Sequence, residues 1–356
     1  MKNKKLITIA LTILLLLAAC SNDPATEQVA APQDPSTGQI YLYGEQHGVD
    51  KILSEELKIW SEYYHNENMR HLFMELPYYT AEFLNIWMQS DSDDILEAIY
   101  QDSVGSLAHN PSIKEFYVQI KKEFPETIFH GTDVGHQHST TGARFLKYLE
   151  ENGLQDSDQY LLAQEIIEQG EYFYDKSDDA YRENKMTENF IREFDALNNE
   201  NIMGIYGSVH TGIDAMTYNA AAIPCMANQL SERYGINVNS EDLSWIAKDI
   251  EPIRTDTIIV AEKEYTAYNY GKEDLTGFRD YIYREFWQLE NAYDDFKDSP
   301  KTGDVLPYDN YPMLIEAGQV FVIDYAKTDG SVTRMYYRSD GNIWEGLPTT
   351  EEFKAE

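Results

Sequence analysis

The chain has 356 residues, 42% of them hydrophobic, with 62 Asp and Glu against 28 Lys and Arg and a formal net charge of −34. This is the composition of a folded globular protein, and it excludes collagen-like, low-complexity and wholly disordered chains. So acidic a surface repels phosphate backbones and bare anionic lipid, which sets nucleic acid aside as a partner. With only Cys20 and Cys225, a disulfide scaffold and a four-thiolate zinc site are excluded as well.

The first residues read as an address. Lys2, Lys4 and Lys5 form a basic start, and Leu6 to Ala19 is apolar apart from Thr8 and Thr12. That apolar run is too short for a comfortable membrane span. It ends in Leu17-Ala18-Ala19-Cys20, which resembles the bacterial lipobox. The resemblance implies a signal peptide over 1–19, cleavage before Cys20 and acylation of the Cys20 thiol. The protein is then expected on the extracytoplasmic face of the cell membrane, held by lipid without spanning the bilayer. Residues 20–38 carry Pro24, Pro32 and Pro35 among small and polar residues and read as a flexible tether. No later stretch is long and apolar enough to span. Cys225, in an apolar run, reads as a small core residue.

Strand and helix patterns alternate over 39–239. Gln39–Tyr43 is a short β-rich run, and Lys51–Tyr64 has the apolar spacing of an amphipathic helix. His71–Met74 is a second strand, so the three segments have the size of a parallel crossover. Helical patterns follow over Thr80–Ile99 and Ile113–Phe124, then a strand at Thr127–His130. Phe145–Glu151, Gln159–Gln169 and Asp178–Leu197 read as helices, Asn201–Tyr206 as a strand, and Gly212–Tyr234 as largely helical. This alternation predicts an α/β domain with a mainly parallel central sheet flanked by helices. Residues 240–356 change character and predict a smaller α+β region. There Thr257–Ala261, Val320–Tyr325 and Thr333–Tyr337 are β-like, the last two joined across Thr328-Asp329-Gly330-Ser331 as a hairpin. Leu275–Phe296 is expected to be an aromatic-rich helix, with Tyr283, Phe286 and Trp287 lidding or supporting the site.

Four predicted strands end in polar residues: Gly44-Glu45-Gln46-His47-Gly48, Glu75, Gly131-Thr132-Asp133 and Gly207-Ser208-Val209-His210. In an open parallel sheet such ends lie along one edge, where ligands bind. The helix over 178–197 carries Arg182 on its apolar stripe, one turn before Met186. A buried guanidinium needs acidic partners, and Glu45, Glu75 and Asp133 are the candidates. His136 and His138 read as a solvated loop rather than a metal pair. His65, His71, His109 and His130 stand alone. G-x-S-x-G, P-loop and H-E-x-x-H motifs are absent from the sequence.

Gly44-Glu45-Gln46-His47, Glu75, Arg182-Glu183-Asn184-Lys185-Met186 with Thr187-Glu188-Asn189, and Gly207-Ser208-Val209-His210 occur in that order. Over Gln39 to Tyr234 the chain resembles the erythromycin esterase/ChaN-like superfamily, which takes in the TraB/TIKI group. The resemblance implies that His47 is a general base activating water, with Glu75 and His210 around it. In the TIKI group the equivalent histidines and glutamate are implicated in divalent-metal hydrolysis, which makes His47, Glu75 and His210 candidate metal ligands. The ChaN branch includes haem-binding lipoproteins.

Imidazoles with carboxylates suit either chemistry, a divalent metal or a carboxylate-oriented base without one. Arg182 would then orient a carboxylate or stabilise an oxyanion. The first functional expectation is a surface-anchored hydrolase acting on an ester, amide or related bond of a small molecule or peptide, through His47, Glu75, Arg182, His210, Glu45 and Asp133. The alternatives are a haem- or iron-binding lipoprotein without turnover and a non-catalytic interaction protein.

Overall fold

A computed structural model describes residues 38–217, 223–344 and 347–355. The signal peptide, Cys20 and all but the last residue of the tether lie outside the described residues.

Among them, five strands form one parallel sheet in the order β3-β2-β4-β1-β5: β1 (Ile40–Glu45), β2 (His71–Pro77), β3 (Ile128–Asp133), β4 (Ile202–Gly207) and β5 (Val238–Asp242). The inner strands β1, β2 and β4 are mostly apolar on both faces because both faces are covered, whereas the edge strand β5 is polar and exposed after Val238. Leu72, Met74, Met203 and Ile205 point to one layer, with α1 (Asp50–Asn66), α2 (Tyr78–Met88), α3 (Asp94–Asp102), α4 (Pro111–Glu123), α5 (Ala143–Glu151) and α6 (Asp158–Lys176). Leu42, Phe73, Ile202 and Tyr206 point to the other, with α7 (Asp179–Asp195) and α8 (Met226–Tyr234). From β1 to β3 the chain moves toward one edge of the sheet, and from β3 to β5 it moves back. With right-handed crossovers that reversal puts the helices on both faces and opens a crevice beyond the strand ends.

The parallel sheet and its helices fit the sequence expectation. Two segments differ. Among the described residues of Gly212–Tyr234, helix begins at Met226, because Pro224 disfavours helix in the residue before it and Thr217 bonds back to Ile223. The expected helix over Leu275–Phe296 is instead mostly strand. β7 (Lys263–Asp274) turns through Gly277, at φ +93°, into β8 (Tyr281–Leu289), and only the short α9 (Tyr293–Phe296) is helical. Tyr, Ile, Phe and Trp pack better on a pleated sheet than on a helix, which settles the period in favour of strand.

β7 and β8 belong to a separate antiparallel sheet, eight-stranded among the described residues. It also holds β6 (Arg254–Val260), β9 (Lys301–Pro307), β10 (Gln319–Lys327), β11 (Val332–Ser339), β12 (Ile343–Trp344) and β13 (Leu347–Phe353). The hairpin between β10 and β11 is present as expected. The region is thus a large sheet rather than a small α+β unit.

Candidate functional site

The register of the parallel sheet aligns its polar strand ends. Glu45, the last residue of β1, lies opposite Gly207, the last of β4. On the other side Pro77 lies opposite Asp133, and the pairing slips between Met74 and Pro77, so Glu75 sits at an irregularity. α7 crosses this edge and supplies Arg182.

Arg182 holds two acids from two strands. Its Nη2 donates to Glu75 Oε1 at 2.5 Å and to Asp133 Oδ2 at 2.6 Å, and its Nε donates to Asp133 Oδ1 at 3.1 Å. Asp133 is fully buried and also meets His136 Nε2 at 2.8 Å. Burial raises its carboxyl, but the Arg182 charge and His136 outweigh burial and hold it well below the usual carboxylate range. Glu75 behaves alike. Burial pushes it up, and His210, Arg182 and His47 together hold it low. Its Oε2 accepts from the Gly207 N–H at 2.6 Å.

His47, in the turn after β1, places Nδ1 2.7 Å from Glu45 Oε1. That hydrogen bond is the chief reason its pKa is pushed up to about 9. Burial opposes the shift, and the charges of Glu75 and Glu45 add to it. The His47 side chain is 32% exposed, against 0% for Asp133, 10% for Glu75 and 20% for Arg182, so His47 is the site residue most open to a ligand. Glu45 was expected to be a possible partner for Arg182; it partners His47 instead.

His210 lies behind Glu75. Its Nδ1 meets Glu183 Oε2 at 2.7 Å and its Nε2 is 3.6 Å from Glu75 Oε1. Burial lowers its pKa, but Glu75 and Glu183 outweigh burial and raise it. His210 is buried, lies outside the cavity wall and abuts Glu75.

The sequence-predicted His47, Glu75, Asp133, Arg182 and His210 therefore come together at one sheet edge, with Glu45 beside His47. All but His210 border a cavity of about 340 Å³, whose polar floor is Glu45, His47, Glu75, Asp133, His136 and Arg182. Its apolar wall comes from α1, α4 and the segment between α3 and α4. Tyr283, Phe286 and Trp287 take no part in that wall. Phe286 and Trp287 are buried in cores of the antiparallel sheet, where β8 needs them.

The donor set does not suit a divalent metal. The Glu75 oxygens are engaged by Arg182 and Gly207, and the guanidinium already supplies the cation a metal would bring. Among the described residues, no group of three or more His, Cys, Asp or Glu is arranged to share a metal ion.

No family model matches the chain, and no curated protein matches its sequence. Solved structures with some likeness of fold include a Bacillus cereus protein, 13% identical over 70% of this chain and 76% of that one, with a TM-score of 0.41. A mutant of the erythromycin esterase EreC in its open conformation is 10% identical over 72% and 83%, with a TM-score of 0.44. A succinoglycan biosynthesis protein is 11% identical over 64% and 70%, with a TM-score of 0.43.

Three residues of the site had no role assigned from the sequence. Glu183 follows Arg182 directly, and its other oxygen accepts from the Met226 N–H at the start of α8. His136, read as a solvated loop residue, bridges Asp133 and the Tyr174 hydroxyl, 2.7 Å from its Nδ1. Glu56 lines the cavity from α1. His71 and His130, which seemed isolated, bond each other at 2.9 Å away from the cavity.

Gly207 is a sensitive point. A Cβ there would lie 3.3 Å from Glu75 Oε2 and 3.5 Å from His47 Nε2, so these two groups face the same small space. Gly207→Ala is expected to leave the fold intact and to displace His47 from Glu75. For the hydrolase reading proposed below, turnover by that variant should fall roughly ten- to a hundred-fold, as misplacement of reacting groups does. Comparing kcat with thermal unfolding checks it.

Proposed function

We propose that this cleft hydrolyses an ester, amide or related bond, with His47 as the group that activates water. The observation that carries the reading is the Glu45–His47 pair at the cavity floor, with His47 Nε2 and Glu75 Oε2 both beside Gly207. Glu45 fixes the ring and leaves Nε2 for the reaction. Water between His47 and the substrate carbonyl gives its proton to Nε2, and its oxygen adds to the carbonyl carbon. The oxyanion develops next to the Arg182 guanidinium, which stabilises it. As the tetrahedral adduct collapses, the leaving group departs with the proton from Nε2. Glu183 holds His210 against Glu75, Glu75 and Asp133 hold Arg182, and none of the five need change charge.

A pKa of about 9 means that His47 is mostly imidazolium at neutral pH. The base form grows as pH rises, so turnover is expected to rise with it. The test is hydrolysis of p-nitrophenyl acetate by the full chain. Absence of turnover together with a Soret band on adding haem would replace this reading with haem handling.

We also propose that the protein is lipid-anchored through Cys20, on the strength of the lipobox-like end of its leader. Cys20→Ser is expected to move the protein from the membrane to the soluble fraction, since an acidic domain has no attraction of its own for anionic lipid. Fractionation of cells making a correctly cleaved variant checks it, and continued membrane retention would count against the anchor.

A further inference from the structure

A fourth acid in the cavity wall has no role in the chemistry above. Glu56 lies on the buried stripe of α1, with Ile52, Leu53, Trp60 and Tyr64. It is 0% exposed, and neither carboxyl oxygen has a hydrogen-bond partner. Yet it lines the cavity, alongside Leu53, Phe116 and Tyr117. An unpaired buried carboxyl costs stability, and a leucine would fill this place in the stripe without that cost.

The other three acids of the cavity each have a cationic or imidazole partner. Glu45 has His47, Glu75 has Arg182, and Asp133 has Arg182 and His136. Glu56 has none. The ionisable groups it faces are Glu45 at the end of β1 and the Tyr117 phenol of α4, neither of which offers a positive charge. Burial, and then the Glu45 charge, push its carboxyl well above the ordinary range, which favours its protonated form in the free protein.

We propose that Glu56 recognises a protonated amine on the substrate, carried by an apolar portion that lies against Phe116 and Tyr117. This deepens the reading of the cleft as a substrate site and rests on it. On binding, the Glu56 O–H bond breaks and its proton leaves to solvent. The ammonium group keeps its own proton and pairs with the carboxylate. No other bond changes. The ligand thus supplies the one partner the wall lacks, and the aromatic faces of Phe116 and Tyr117 favour a cation further. The chain's net charge of −34 draws cations toward such a cleft. A neutral hydroxyl would satisfy an oxygen of Glu56 but would bring no charge to pair with its carboxylate.

The experiment is calorimetric titration of the full chain at neutral pH with benzylammonium and, separately, benzyl alcohol. It is run in phosphate and in Tris, whose different ionisation heats count protons. The amine is expected to bind roughly ten-fold or more tightly than the alcohol. About one proton should be released per amine bound. Glu56→Gln should erase both the preference and the proton release, while raising the melting temperature at neutral pH. Equal binding of the two probes by the unaltered chain, no binding of either at millimolar concentration, or an amine preference that survives in Glu56→Gln would overturn the proposal. Because binding rather than turnover is read, its failure is distinct from failure of the hydrolase reading.

Discussion

Arg182→Ala is expected to destabilise the fold by about 3–5 kcal/mol at neutral pH, the usual cost of breaking a buried pair from one side. The loss is large because two acids are stranded together. Asp133 is fully buried and the Glu75 side chain is 10% exposed, and both are held low against the effect of burial. The pH dependence has a definite sign. Carboxyls whose folded pKa is depressed stabilise the fold above their unfolded values, here near 3.8 and 4.5, and lose that contribution as pH falls. Without Arg182 the stranded acids protonate instead, so the deficit against the unaltered chain should be greatest near neutrality and shrink toward pH 4. Arg182→Lys keeps the charge but not the fork that holds Asp133 at two points, and should fall between. Urea unfolding of the three proteins at pH 4 and pH 7 measures this.

His47→Ala is expected to lower ester turnover by roughly 10²- to 10⁴-fold, the range that general base catalysis supplies. Its effect on stability should be small only above about pH 9, where the ring is neutral and water can take its place beside Glu45; below that it forfeits the stabilisation that the raised pKa reports. Glu45→Gln should act differently. The carboxylate is the main cause of the raised His47 pKa, so the amide should bring that pKa down from about 9. His47 would then be a weaker base but a more populated one at neutral pH. The same shift predicts a stability effect. A histidine with a raised folded pKa stabilises the fold fully below its unfolded value, and loses that contribution as pH rises through about 9. The Glu45→Gln variant should lose this dependence between about pH 6.5 and 9. NMR titration of the His47 ring, with unfolding across the same range, reads both.

Much of this site was legible before any coordinates. Each predicted strand of the first region is present, and glycine or acid at its end marked the edge where His47, Glu75, Asp133 and His210 meet. Arg182 stood out because a cation on an apolar stripe needs buried acids, and it has two. What could not be read was partner choice. Glu45, Glu75 and Asp133 were equivalent candidates for Arg182 until register placed Glu45 beside His47. His136 looked like a loop residue because its partners, Asp133 and Tyr174, depend on where α6 packs. Glu56 was hidden for another reason. It occupies an apolar position of α1, where a single acid among Leu and Trp suggests the helix's edge rather than its buried centre. The segment 275–296 was misread because a dense run of aromatics satisfies both periods, and only pairing with β7 and β10 decides between them.

The measurement closest to the central claim is the pH–rate profile of ester hydrolysis by the full chain, with His47→Ala as its control. The account predicts that kcat/KM rises with pH to a plateau, with an apparent pKa of about 9, and that the control shows no such limb. A profile that His47→Ala leaves unchanged, or no turnover at any pH, would contradict it.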